Sequence, residues 1–150
     1  FLNYLDKDQE LAVMRQKSNM DFNYEPKTVL NAEDIAKIRK EINEITISET
    51  LEKYIIELVF ATRNPAEYGL TQEAGYIQFG ASPRASIQLN LAAKVMAYLE
   101  GRDYVLPEDI KEMAPDILNH RIILNYVAEA DNITTLQIIQ SILSSVAINR

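Results

Sequence analysis

The sequence contains no cysteine and no tryptophan, one histidine, four glycines and five prolines in 150 residues. Without cysteine, disulfides and thiolate metal sites are excluded, and a reducing, cytoplasmic setting fits without being required. The lone histidine, His120, has no second His or Cys to join it. Metal centres converge several ligands, so packing or hydrogen bonding is its plainer use. No apolar run approaches the roughly 18–20 residues that cross a bilayer, and no signal peptide is visible. No G-x-x-x-x-G-K-[ST] loop is present to cradle a triphosphate, and no G-x-S-x-G elbow or Ser/His/Asp set to carry nucleophilic catalysis. The chain alone is therefore expected to hold no cofactor and to catalyse nothing. Lysine and arginine number 15 against 22 acidic residues, a formal charge of -7. Such a surface repels phosphate backbones, and without a dense basic run nucleic acid is not an expected partner.

The hydrophobic fraction of 47% is enough for the core of one domain. Scarce glycine and proline leave long stretches whose apolar spacing is helical. Residues 5–17 read as a first helix, with Asp6 and Gln9 at capping-box spacing. A polar loop follows over 18–30. Asn31 begins a second helix, with Ile35, Ile38 and Ile42 on one face. Ile45-Thr46-Ile47, β-branched throughout, reads as extended. Ser48 caps a third helix whose stripe is Leu51, Tyr54, Ile55, Leu58 and Val59, ending before Pro65.

The 66–82 segment, with Gly69, Gly75 and Gly80, reads as a mobile loop with a short extended piece at Tyr76-Ile77-Gln78-Phe79. A fourth helix opens at Ser82-Pro83, cap and first-turn proline. Ile87, Leu91, Val95 and Leu99 predict its buried stripe, widened by Leu89, Ala92, Ala93 and Met96. So apolar a helix is expected to be the most buried. Gly101 ends it. A fifth helix starts at Pro107, with Ile110, Met113, Ala114, Ile117 and Leu118 as its stripe and a kink or break at Pro115. Asn132 opens the last helix, with Leu136, Ile139, Leu143 and Val146 inward. The expectation is one all-α bundle of about six helices, with at most a very short strand pair.

One residue breaks a local rule. Arg84 lies in the first turn of the fourth helix, where the helix dipole makes a cation unfavourable by ~0.3–1 kcal/mol. The free N–H groups at such a start favour an anion. Arg84, with Ser82 and Pro83, is thus a candidate clamp for a phosphate brought from outside. The plainer reading pairs Arg84 with a nearby carboxylate. Arg63, Arg102 and Arg121 also lie near helix ends or turns; Arg63 suits a helix C-terminus, where a cation is favoured. The eight tyrosines are scattered without basic interleaving and make no base-stacking platform.

Gly80-Ala81-Ser82-Pro83-Arg84-Ala85 resembles the GASPRA sequence of MoxR-family AAA+ ATPases, which carries that family's sensor 2 arginine. Gly101-Arg102-Asp103-Tyr104-Val105-Leu106-Pro107-Glu108-Asp109-Ile110 resembles the family's GRDYVTPDDV stretch. Ala114-Pro115 and His120-Arg121-Ile122 resemble its APAVLRHRI pattern. Ile47-Ser48 and Ala61-Thr62-Arg63 are similar to its third lid helix, and residues 5–15 to the segment that leaves the ATPase core. The 70–79 loop is less similar.

The resemblance implies that 1–150 is a C-terminal helical lid, with 1–17 connecting it to an N-terminal ATPase core absent from this sequence. It implies that Arg84 meets the phosphates of ATP, bound with Mg2+ in the full-length parent. It implies a ring homo-oligomer, commonly hexameric, in the cytoplasm, doing chaperone-like remodelling or metal insertion, often with a von Willebrand factor A domain protein. The chain begins Phe1-Leu2-Asn3-Tyr4 without an initiator methionine and reads as part of something longer. Two other readings stay open. One is a stand-alone, non-enzymatic helical interaction module, favoured by an open reading frame that starts near Phe1. The other is a helix-turn-helix DNA binder using the fifth helix and residues 120–124, against which the charge argues.

Overall fold

The computed structural model describes residues 4–18 and 26–148. Most of the polar loop expected over 18–30 therefore lies outside the described residues, as do residues 1–3. Contacts divide the chain into two units, Phe1–Ala36 and Lys37–Arg150.

In the first unit, α1 (Lys7–Lys17) starts with the capping box read from Asp6 and Gln9. The Gln9 N–H donates to Asp6 Oδ1 (2.8 Å), and the Asp6 N–H to Gln9 Oε1 (3.2 Å). None of its residues is buried. Asn31 and Asp34 exchange an equivalent pair of bonds, both 2.9 Å, at the start of α2 (Ala32–Glu44). The boundary between the units falls within α2.

The second unit is helical. Its stretch Ile45-Thr46-Ile47 is extended, as its β-branched run predicts, and Thr46 forms a parallel bridge to Tyr104. The Thr46 N–H donates to the Asp103 carbonyl and the Val105 N–H to the Thr46 carbonyl, both at 2.9 Å. Ser48 caps α3 (Glu49–Ala61) through its side chain. All five residues of the expected stripe on α3 are buried. A 3-10 turn (Pro65–Tyr68), α4 (Thr71–Ala74) and β1 (Ile77–Phe79) follow.

The 66–82 stretch thus contains β1 within the extended piece expected over 76–79, and two short helical turns that its glycines do not suggest. β1 pairs antiparallel with β2 (Ile123–Leu124). Asn125 Nδ2 donates to the Gly75 carbonyl (2.7 Å), the Asn125 N–H to the Tyr76 carbonyl (2.9 Å) and the Tyr76 hydroxyl to Asp131 Oδ2 (3.0 Å). All these partners lie about fifty residues downstream, where no local pattern could reveal them. Because β2 follows the fifth helix, residues 120–124 also do not form the second helix of a helix-turn-helix.

The helix over Pro83–Leu99, α5, corrects a second expectation. Its buried residues are Ala85, Leu89, Ala93 and Ala97, whereas Ile87 is 66% and Leu99 69% exposed. Leu91 is exposed as well. α5 packs most closely on α6 (Pro107–Leu118) and also on α3. Small residues let helix axes approach, so the core face of α5 is its alanine face. Ranking positions by side-chain size picks the opposite face.

α6 runs through Pro115 to Leu118 as one helix, although Pro115 cannot donate to the Lys111 carbonyl. Ile110, Ala114 and Leu118 are buried, as expected. α7 (Tyr126–Ala130) is a short helix not foreseen. The last helix, α8 (Thr135–Ser145), is capped by Thr134 with Gln137, not by Asn132, which takes a left-handed φ of 56°. Ile138, Ile139, Ile142 and Val146 are buried, while Leu136 is exposed.

The Gly101–Ile110 stretch is a structural staple. Gly101 ends α5 with a left-handed φ of 69°, which glycine adopts without penalty. The Arg102 guanidinium then grips Asp109 with both ends of its fork, at 2.9 and 2.6 Å, and donates to the Tyr104 carbonyl at 2.9 Å. Asp109, only 4% exposed, also accepts the Leu106 N–H at 2.7 Å. Burial pushes the Asp109 carboxyl up, but the hydrogen bonds from Arg102 and Leu106 and the Arg102 charge outweigh it and hold the carboxyl below the ordinary aspartate value.

Because the native value is depressed, this stabilisation is full above the ordinary value of 3.8 and fades as the pH falls through the lower native one. Asp109→Ala is expected to destabilise the chain by about 3 kcal/mol at neutral pH. Melting curves at neutral and acid pH check this. The gap between the two proteins should narrow below about pH 4, and a gap constant with pH would contradict the assignment.

Candidate functional site

Arg84, the residue that breaks the helix-dipole rule, stands at the second position of α5. Ser82 is the N-cap and Pro83 the first helical residue, as expected, but the Ser82 side chain makes no capping bond into the helix. The Ala85 N–H bonds to the Ser82 carbonyl (2.8 Å), and the Arg84 N–H finds no acceptor among the described residues. The Arg84 side chain is exposed and makes no hydrogen bond or ion pair there. The carboxylate partner of the plainer reading is therefore not found among the described residues. What stands at this end of α5 is a free guanidinium, a free serine hydroxyl and a free amide, all of them donors suited to an anion.

The chain entering this helix is fixed from α3. Thr62, fully buried, donates its hydroxyl to the Val59 carbonyl (2.6 Å) and accepts the Ala81 N–H on the same oxygen (2.9 Å). Its neighbour Arg63 donates Nε to the Ala81 carbonyl (2.7 Å), with its guanidinium carbon 4.8 Å above the Phe60 ring. Gly80 lies flat on the same turn. A Cβ there would sit 2.4 Å from the Thr62 carbonyl oxygen and 2.8 Å from the Arg63 nitrogen. Sequence reading missed this arrangement. Arg63 reads as a helix-end charge, and nothing in the pattern joins residues 62 and 63 to a turn eighteen positions on.

α3 and α5 frame an open groove of about 380 Å3, lined by Glu52, Ile55, Ile56, Ser86, Ile87 and Asn90. Ile56 and Ile87, which line this groove, are exposed apolar residues; Phe60 and Leu91 of the same two helices are exposed as well, Leu91 on a second groove shared with α6. His120 is exposed and contacts Arg121, which donates to the Ile117 carbonyl. Among the described residues, no three His, Cys, Asp or Glu side chains gather as metal ligands. No helix there is long and apolar enough to cross a membrane.

Residues 70–142 match the family described as the AAA lid domain. The chain is 38% identical over 122 residues to the chaperone MoxR1 of Mycobacterium tuberculosis, covering 81% of this chain and 32% of that protein. The chain belongs to the MoxR-type AAA lid domains. Protein MoxR of Paracoccus denitrificans is 42% identical to it over 82 residues, 52% of this chain and 24% of that one. The crystal structure of a candidate ATPase from Cytophaga hutchinsonii superposes with a TM-score of 0.85 at 64% identity, covering 99% of this chain and 45% of its own. The MoxR-type lid described here thus spans less than half the length of each of these relatives. In it, the GASPRA stretch forms the start of α5, and the GRDYV stretch forms the Arg102–Asp109 staple.

Proposed function

We propose that this lid senses nucleotide in a MoxR-type AAA+ ATPase, with Arg84 as its sensor 2 arginine directed at the terminal phosphates of ATP. The observation that carries the reading is the free, exposed guanidinium at an uncapped helix start in a protein rich in carboxylates. A planar, permanently charged fork suits phosphate oxygens, and there it stabilises charge on a phosphoryl group in transfer. Arg84, the Ser82 hydroxyl and the first-turn amides can donate to a phosphate but do not cradle it. The phosphate-binding loop and the Mg2+ site belong to an ATPase core that residues 1–17 would join to the lid. The exposed apolar residues Ile56 and Ile87 on the α3–α5 groove are of the kind that marks an interface. Loss of the γ-phosphate weakens the Arg84 contact and frees the lid to rotate, which couples hydrolysis to movement.

In this reading the parent is a cytoplasmic ring, a hexamer, that remodels client proteins or inserts metal, with a von Willebrand factor A domain protein as partner. Two measurements test the assignment. The coding sequence upstream of Phe1 should encode a G-x-x-x-x-G-K-[ST] loop. Phosphate release from ATP by the purified 150-residue chain should stay at background at every protein concentration. Release that rises with chain concentration would contradict the division of labour between lid and core.

A further inference from the structure

We propose that Thr62 and Arg63 form a positioning clamp that aims Arg84; the proposal rests on the phosphate-sensing role argued for Arg84 above. Both polar groups of the Ala81 backbone are taken by these two consecutive residues at the end of α3. The N–H goes to Thr62 Oγ1 (2.9 Å), and the carbonyl accepts from Arg63 Nε (2.7 Å). Thr62 passes the restraint on, since the same hydroxyl donates to the Val59 carbonyl in the last turn of α3 (2.6 Å). Ala81 is itself fully buried and stands three residues before Arg84.

A helix start is usually fixed by its own cap, whose side chain bonds into the first turn. Here the Ser82 side chain makes no such bond, so the first turn of α5 lacks its ordinary lock. The clamp replaces it. It ties the entry of the helix to a neighbouring helix and leaves the Ser82 hydroxyl and the Arg84 amide without a partner among the described residues. Arg63 is an exposed residue, with its guanidinium laid over the Phe60 ring at 4.8 Å. It can therefore be removed without opening the core. Its consequence is the angle at which Arg84 leaves the lid. A displacement near an ångström at such a group costs up to about 100-fold in rate.

The test uses the full-length ATPase that carries this lid, with kcat and KM for ATP measured separately. Arg63→Ala is expected to lower kcat about 10-fold with KM little changed, measured at a temperature where the variant is fully folded, because the buried Ala81 carbonyl loses its partner and the melting temperature falls with it. Thr62→Val should act in the same direction, and Thr62→Ser, which keeps the hydroxyl, should restore turnover. The double variant Arg63→Ala/Arg84→Ala should turn over no more slowly than Arg84→Ala alone, because the clamp then has nothing to aim. Hydrogen exchange at the Ala81 amide should quicken in Thr62→Val.

An Arg63→Ala protein with normal kcat, or a double variant slower than Arg84→Ala by the full Arg63→Ala factor, overturns the clamp and leaves the role of Arg84 intact. An Arg84→Ala protein with normal turnover removes the phosphate-sensing role, and the clamp with it.

Discussion

Replacing Arg84 with alanine in the full-length ATPase is expected to lower steady-state ATP turnover by about 10²–10³-fold, the loss that follows removal of one preorganised donor to developing charge. The fold should not suffer. Arg84 is exposed, pairs with nothing among the described residues and sits where the helix dipole opposes a cation. The melting temperature of Arg84→Ala should therefore be unchanged or slightly higher. This combination separates a ligand-directed residue from a structural one, since a residue that serves the fold loses stability when removed. Arg84→Lys should recover little, because a point charge on a flexible stem does not reproduce a planar fork. Turnover within twofold of the unaltered protein in an assembled ring would refute the assignment.

Gly80→Ala is the second large effect, and its cause is contact rather than conformation. No left-handed φ marks this glycine. The added methyl would meet the Thr62 carbonyl oxygen at 2.4 Å, its carbon at 2.6 Å and the Arg63 nitrogen at 2.8 Å. All three are backbone atoms, which cannot swing aside as the end of a side chain can, so one strand of the clamp has to move. The expected destabilisation is about 3 kcal/mol, of the order seen when well-packed sites are overfilled. In a chain of this length that is a fall of roughly 6–12 °C in melting temperature. Because the displaced backbone carries Ala81, turnover of the full-length ATPase carrying this change should fall as well, beyond what the stability loss explains at a temperature where the variant is folded. Thermal denaturation and ATPase assays at such a temperature measure both parts. A Gly80→Ala protein as stable as the parent would show that the close approach at Thr62 is not needed.

The sequence discloses this molecule where its signals are local. Asp6 with Gln9, Ser48 with the apolar stripe of α3, and Pro83 and Pro107 at first helical positions all lie within one turn of what they control, and each marks a real helix start. Arg84 is visible for the same reason, as a cation in the wrong turn of a helix within a recognisable motif. The phase of α5 is not legible, because its core face is set by how closely α6 and α3 approach, and alanines at 85, 93 and 97 carry no size signal. The 66–82 stretch reads as open loop because its restraints come from β2, Asn125 and Asp131, far along the chain. Arg63 and Thr62 fall between these cases. Their place at a helix end is local, but their use depends on Ala81, which only the fold brings to them.

The most direct test is a structure of the full-length ATPase with a non-hydrolysable ATP analogue bound. The account predicts an Arg84 guanidinium nitrogen about 2.7–2.9 Å from an oxygen of the terminal phosphate, the span of a charge-assisted hydrogen bond. An Arg84 side chain turned to solvent or paired with a carboxylate, while the nucleotide is fully bound, would contradict it.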